Sequence, residues 1–324
     1  MAECISIERE PKTAIAAALP LLAQGAAIAI PTETVYGLAA DATNPQAITR
    51  IYETKGRPRF NPLICHMADL AMAERHARFD PLSRTLAERF WPGPLTLILP
   101  LQDGSPIHPL ATAGLDTVGV RCPRGFAGQL IAAFGQPLAA PSANTSGRIS
   151  PTSATHVEAD LGDKIPLILD GGTAGVGVES TIVKVENGAV HLLRPGGLAA
   201  EEIEACLGLS LIRPEKAGAI IEAPGMLASH YAPDAPVRLN ALEIHAGEAA
   251  ILFGRDTPAG LDKAHFIRNL SPEGKLAEAA AALFQTMKEA DASGAARIAF
   301  VPIPMQGLGE AINDRIERAA APRA

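Results

Sequence analysis

Aromatic side chains are scarce in this chain: they make up 4% of its 324 residues, with one tryptophan and three tyrosines. Proteins that grip single-stranded nucleic acid stack bases on exposed rings, so this composition weighs against such a role. Cysteine is also sparse. Cys4, Cys65, Cys122 and Cys206 are scattered, with no CxxC pair and no histidine at metal-ligand spacing. That excludes a disulfide framework and a zinc site, and it predicts reduced thiols in a cytoplasmic protein. No apolar run approaches membrane-spanning length, and the N-terminus MAECISIERE is charged, without an apolar signal core. A soluble, intracellular protein with no membrane contact is expected. The P-loop pattern GxxxxGK[ST] is missing, and the glycines from Gly171 to Gly177 lack the third glycine and the following helix of a dinucleotide fingerprint. A formal net charge of −7 argues against general polyanion binding, while leaving room for a local basic cleft.

What is present is aliphatic. Hydrophobic residues reach 48%, with 29 glycines and 27 prolines falling between apolar runs, as in a loop-rich α/β enzyme. The length exceeds one typical domain, so two are expected. Up to residue 200, helices alternate with short aliphatic strands. Helices are predicted over Pro11–Gln24, closed by Gly25, and over Pro45–Thr54, Pro81–Phe90 and Phe126–Phe134. Strands are predicted at Ala26–Ile30, Leu63–Cys65, Leu95–Leu99, Val118–Arg121, Leu138–Ala140 and Leu167–Leu169. Thr181–Val185 and Val190–Leu193 form a hairpin about Asn187-Gly188. Arg213–Pro236 holds four prolines and little periodicity, and reads as a linker. Beyond it, strands Ala249–Phe253 and Arg297–Val301 alternate with helices Pro272–Ala292 and Leu308–Ala320, a small second α/β unit. The expected architecture is an open, twisted mixed sheet covered by helices, plus this smaller unit.

Chemistry concentrates in loops at strand ends, where ligands gather in α/β sheets. Thr32 and Thr34 follow the first strand. Lys55, Arg57 and Arg59 alternate through a Gly/Pro turn, and Arg50 precedes them with Glu53 as the one acid. Guanidinium forks and a compact ammonium suit phosphate oxygens. His66 follows the strand beside that loop. PSANTSG, residues 141–147, is a donor-rich loop after a short internal strand. Ser153 or Thr152 caps the next helix. Arg121 and Arg194 end two further strands. Spacing alone reaches an anion-binding, nucleotide-using α/β enzyme of unassigned chemistry.

Taken in order, PTETVYGL, KGRPRFNPL, PSANTSG, GVESTIV and LLRPG resemble the YrdC-like domain of threonylcarbamoyl-AMP synthases. PGMLASHYAP and GLGEAINDRIERAA resemble the linker and end of the long, two-domain form. The resemblance implies a YrdC-like catalytic domain over residues 1–210, a linker and lid over 211–236, and a Rossmann-like domain over 237–324. It implies that L-threonine, bicarbonate and ATP give threonylcarbamoyl-AMP and pyrophosphate. The product would pass to the tRNA threonylcarbamoyl-transfer proteins that modify adenosine 37; whether this chain touches tRNA itself is left open. By the same resemblance Thr34, His66, Arg121, Ala140 and Ser180 form the threonine pocket. Arg57, Asn61, Thr117, Ser142, Ser150, Arg194 and Tyr231 contact ATP, and Lys55 and Arg57 carry the catalysis. Magnesium is expected with ATP, its ligands unassigned, and no general base stands out. Pro224–Pro236 is expected to close over the site. The alternatives are an RNA-binding module of the same fold, and carbamoyl transfer in metal-cofactor maturation. The second normally brings zinc-type cysteine pairs and further domains, both missing here.

Overall fold

The computed structural model describes residues 1–213, 222–224 and 229–322. The first part runs β1 (Glu3–Ser6), α1 (Pro11–Ala23), β2 (Ile28–Ile30), β3 (Gly37–Asp41), α2 (Pro45–Lys55), β4 (Ile64–His66), α3 (Leu70–His76) and α4 (Pro81–Phe90). It continues with β5 (Leu95–Pro100), β6 (Thr117–Arg121), α5 (Phe126–Phe134), β7 (Leu138–Ala139), α6 (Ala154–Leu161), β8 (Leu167–Asp170), β9 (Thr181–Glu186), β10 (Ala189–Arg194) and α7 (Ala200–Leu207). These strands form one ten-stranded mixed sheet, ordered β1-β8-β2-β3-β7-β4-β6-β5-β9-β10.

Local chemistry explains the helix that matters most. Asn44 caps α2, its side chain accepting from the amides of Gln46 and Ala47 at 2.9 and 3.3 Å, and Pro45 opens the first turn. Gly56, left-handed at φ 59°, ends it. Ile48, Ile51 and Tyr52 are buried on one face, as their spacing predicts. The last helical residue, Lys55, is thereby carried inward to 1% exposure. Ser153, not Thr152, caps α6 through the His156 amide at 3.3 Å.

The layout differs from expectation in one place that shapes the site. The hydroxyl-bearing loop does not lead directly to α2. It turns back into β3, antiparallel to both β2 and β7. GLAAD has no β-branched residue, so nothing in it announces a strand; its pairing partners decide. The short elements β1, α3 and α7 likewise gave no separate sequence signal.

The second part has β11 (Val237–Arg238), β12 (Glu248–Leu252), β13 (Phe266–Asn269), α8 (Leu276–Ala292), β14 (Arg297–Phe300) and α9 (Leu308–Ala320). Its four strands are parallel, ordered β11-β14-β12-β13, so β11 and β13 are added to the two strands expected. Helix α8 begins at Leu276 rather than Pro272, because Gly274 at φ 70° makes a turn first and the Ser271 hydroxyl accepts from the Lys275 amide at 3.0 Å. One apolar cluster crosses between the two parts. Val35, Ile149 and Val178 pack with Leu283, Phe284, Phe300 and Ile312. Gly177 makes this possible: at φ 77°, a Cβ there would lie 2.4 Å from the Ala280 carbonyl oxygen in α8.

Of the expected linker, residues 214–221 and 225–228 lie outside the described residues, and with them part of the expected lid. Its described parts are tied down. Arg213 pairs with Glu310 at 2.7 Å, and Glu222 with Lys184 at 2.9 Å. No helix among the described residues is long and apolar enough to cross a membrane.

Candidate active site

Strand ends and two loops converge on one cavity of about 50 Å³, lined by Thr32, Thr34, Val35, Gly37, Arg57, Ile64, His66 and Arg121, then Ala140, Pro141, Ser142, Glu179, Ser180, Arg194, Pro224, His230 and Tyr231. Among the described lining residues, three guanidinium groups face one carboxylate, Glu179. The chain's acidic total therefore conceals a local cationic pocket suited to anions. Nine of the expected site residues line it: Thr34, Arg57, His66, Arg121, Ala140, Ser142, Ser180, Arg194 and Tyr231.

The threonine-pocket candidates lie together. His66 and Arg121 end adjacent parallel strands and are register partners. Arg121 Nη1 donates to Thr34 Oγ1 at 2.9 Å, Nε to the Gly93 carbonyl at 3.1 Å, and Nη2 lies 2.8 Å from Glu33 Oε2. Thr34 in turn lies 2.8 Å from Thr32, hydroxyl to hydroxyl. Burial, reinforced by Arg121, pushes His66 down to about 3, so its imidazole is neutral at physiological pH. Ser180 Oγ meets Thr96 Oγ1 at 2.8 Å. The Ala140 amide is committed to the Ile64 carbonyl at 3.0 Å, so any further help from Ala140 itself falls to its carbonyl.

The nucleotide candidates divide. Arg194 is buried, bonding to the Ser180 carbonyl at 2.8 and 3.2 Å and to the Pro224 carbonyl at 3.2 Å. Gly196 lets its RPGG turn press against Glu179 and Ser180, since a Cβ there would meet their backbone at 2.3–2.4 Å. Arg57 donates to the carbonyls of Asn61 and Pro62 at 3.2 and 2.9 Å, and burial lowers its pKa to about 10. Asn61 is 1% exposed, and neither amide atom has a hydrogen-bond partner among the described residues. Such a group calls for a ligand or water. Ser150 stands behind the wall, its hydroxyl donating to Glu179 Oε1 at 2.5 Å. Lys55 also stands behind it, donating to the carbonyls of Ser142, at 2.5 Å, and Asn144. Burial, then the neighbouring Arg57 charge, pulls the Lys55 pKa well below the ordinary lysine range. Thr117 is not brought to the cavity. It shares the Arg121 face of β6 but sits at the strand's other end, with Gly119 between them.

Four contributors were not singled out in the sequence. Glu179 is the one acid of GVESTIV. Burial pushes its carboxyl up, but Arg315 and Arg194 outweigh that and hold it below the usual range. His230 precedes Tyr231 and stacks edge-on against it, centroids 4.2 Å apart. Asn144 ties its own loop through the Thr145 and Arg148 carbonyls at 2.8 and 2.9 Å. Glu33, within PTETVYGL, braces Arg121. Each belongs to a quoted motif; its direction of pointing was the missing signal.

Two family models account for nearly all of the chain: "Telomere recombination" matches residues 20–196, and "Threonylcarbamoyl-AMP synthase, C-terminal domain" matches residues 198–321. The threonylcarbamoyl-AMP synthase of Bacillus subtilis is 40% identical over 95% of this chain and 93% of its own. The chain belongs to the threonylcarbamoyl-AMP synthase family. Another member, from Pyrococcus abyssi, is 38% identical over 98% of this chain and 96% of its own. The crystal structure of P. abyssi Sua5 complexed with L-threonine superposes with TM-score 0.87 at 37% identity, covering 98% of both chains. Escherichia coli YciO, at 22% identity and TM-score 0.52, shares the fold of the larger sheet. Membership in a synthase family along nearly the whole length favours the enzyme over an RNA-binding module.

Among the described residues, no group of three or more His, Cys, Asp or Glu side chains is placed to hold a metal ion. Glu179, the one carboxylate among the described residues lining the cavity, has its oxygens engaged by Ser150 and Arg315. Neither oxygen is left free for a metal ion.

Proposed function

We infer that this protein makes L-threonylcarbamoyladenylate from L-threonine, bicarbonate and ATP, releasing pyrophosphate. The observation that carries the reading is the convergence of Arg57, Arg121 and Arg194 with Thr34, His66 and Ser180 around one cavity. In this scheme the Arg121 fork holds the threonine carboxylate. Neutral His66 and the hydroxyls of Thr34 and Ser180 read its side-chain hydroxyl. The free amine attacks the carbon of bicarbonate-derived carbon dioxide and loses a proton, giving a carbamate. A carbamate oxygen then attacks the α-phosphorus, forming one P–O bond as the bond to pyrophosphate breaks.

Two anions must meet in that step. Lys55, Arg57 and Arg194 would offset their repulsion and the leaving-group charge, and magnesium entering with ATP would supply further positive charge there. Ser142, Ser150 and Asn61 are proposed to orient the nucleotide, with Thr117 at the far end of the same sheet face. Positioning and charge, rather than a dedicated base, then supply the catalysis. The adenylate would be passed in the cytoplasm to tRNA threonylcarbamoyl-transfer proteins.

Carbamate and mixed anhydride are both lost to water, and a recessed, partly enclosed cavity limits that hazard. At about 50 Å³ it has room for a few waters. Pro224, His230 and Tyr231 are among its lining residues, so we propose that their segment withdraws to admit substrates and closes for reaction. Tyr231 holds a left-handed backbone at φ 60°, unusual for a bulky residue and typical of segments under functional constraint.

The test uses purified protein, labelled bicarbonate, magnesium-ATP and threonine, serine or valine in turn. Threonine-dependent pyrophosphate release with label in an adenylate is expected, abolished by Arg57→Ala. Valine should be rejected strongly, because it leaves buried polar groups unpaired. Turnover indifferent to the amino acid supplied would sink the reading.

A further inference from the structure

Beside the apolar packing of Phe284 on Tyr231, at 5.6 Å between ring centroids, the second domain sends a charged side chain through the interface to the wall of the cavity. Arg315 lies mid-way along α9 and is 0% exposed. Its Nε donates to Glu179 Oε2 at 2.7 Å, Nη1 to Asp314 Oδ2 at 2.6 Å, and Nη2 to the Pro195 carbonyl at 3.0 Å. Its guanidinium also stands 5.1 Å from the centroid of the Tyr231 ring, in cation–π contact. One turn on, the Arg318 carbonyl accepts from the His230 amide at 3.2 Å. A single turn of one helix thus meets Glu179, His230 and Tyr231, all in the cavity wall.

What those contacts reach is selective. Glu179 uses its other oxygen to hold the Ser150 hydroxyl at 2.5 Å. Ser150 and Tyr231 both belong to the proposed nucleotide subsite. Arg315 makes no hydrogen bond, ion pair or ring contact with Thr34, His66, Arg121 or Ser180 on the threonine side. A fully buried guanidinium is a poor choice for mere adhesion: apolar residues of similar volume often hold an interface as well or better. Geometry is what a buried, forked donor adds, since each N–H fixes an acceptor in direction as well as distance.

We propose that Arg315 is a positioning residue of the nucleotide subsite, supplied by the C-terminal domain, which sets Glu179 and hence Ser150 from one side and backs the Tyr231 ring from the other. The proposal rests on the ATP-dependent reading above and deepens it by giving the second domain a part in nucleotide recognition.

The experiment compares the full-length wild type with Arg315→Lys, which keeps the charge and loses the fork, and Glu179→Gln, which keeps the shape and loses the charge. Urea midpoints report the fold, and calorimetry with magnesium-ATP, no threonine present, reports binding without turnover. Initial rates give KM for each substrate. Both variants should bind ATP about tenfold or more weakly, with KM for ATP rising in step and KM for threonine nearly unmoved. The double variant should be no worse than the poorer single one, as expected of groups acting through one contact. A folded Arg315→Lys protein with unchanged ATP affinity, or ATP and threonine weakened alike, overturns the proposal and leaves Arg315 as a domain staple. Should Arg315→Lys not fold, unchanged ATP binding by Glu179→Gln overturns it as well. A wild type that binds ATP but forms no adenylate would instead count against the proposed reaction, since the binding comparison needs no turnover.

Discussion

Lys55 and Ser142 are joined directly: the ammonium at the end of α2 donates to the carbonyl oxygen of Ser142, 87 residues away in the chain, at 2.5 Å. The same Nζ also reaches the Asn144 carbonyl. The cationic turn and the PSANTSG loop are therefore one structural unit before any substrate arrives. A lysine expected to face phosphates is, in this state, the brace of the loop that would orient them.

Lys55→Met should consequently lower stability as well as activity. Removing the donor strands the buried Asn144 carbonyl, at a cost of about 1–3 kcal/mol, and leaves the Ser142 carbonyl with the Asn144 amide at 3.0 Å. Chemical denaturation and pyrophosphate release measured together check this. An inactive variant with wild-type stability would show that the lysine does not brace the loop.

Arg121→Lys should act on threonine alone. The guanidinium serves Gly93, Thr34 and Glu33 in three directions, which an ammonium on a flexible stem does not reproduce. KM for threonine is expected to rise about tenfold or more, with KM for ATP within about twofold of wild type. Equal rises in both would place Arg121 in a shared part of the site.

Stability should fall as pH drops from neutrality. Burial pushes both His66 and His230 down to about 3. Their unfolded value is near 6.5, so below that pH the unfolded chain binds protons that the folded one refuses. Each histidine then removes up to about 1.4 kcal/mol of stability per pH unit between roughly 6.5 and 3. Urea unfolding at pH 7, 6 and 5 reads the slope, and His66→Asn should flatten it. A slope untouched by that change would mean His66 is protonated in the fold.

Gly177→Ala should loosen the contact between the two parts. Its φ of 77° strains any side chain, and the new Cβ would also press on α8 at 2.4 Å. Gly188→Ala is the control, with the same φ and nothing within 4 Å. The control should cost about 1 kcal/mol, from strain alone, and Gly177→Ala clearly more, since overpacking adds about 1–3 kcal/mol. Equal unfolding midpoints would show that the interface yields freely.

Much of this protein is decided locally and is therefore readable along the chain. Asn44-Pro45 and Gly56 bracket α2, Asp80-Pro81 opens α4, and Asn187-Gly188 turns the β9–β10 hairpin, because caps and turns are contacts between near neighbours. The ordered motifs name their chemistry for the same reason: hydroxyls, guanidiniums and amides are properties of residues. Direction is not such a property. Whether Lys55 meets a loop or a phosphate, whether GLAAD becomes a strand, and whether Thr117 joins Arg121 depend on which distant segment lies alongside. Arg315 and Glu179 make the case most plainly. Separated by 136 residues and in two different motifs, they become a charge pair only when α9 docks against the segment that carries Glu179. Burial there removes competing water, and the folded interface turns two ordinary ionic side chains into fixed parts of one wall.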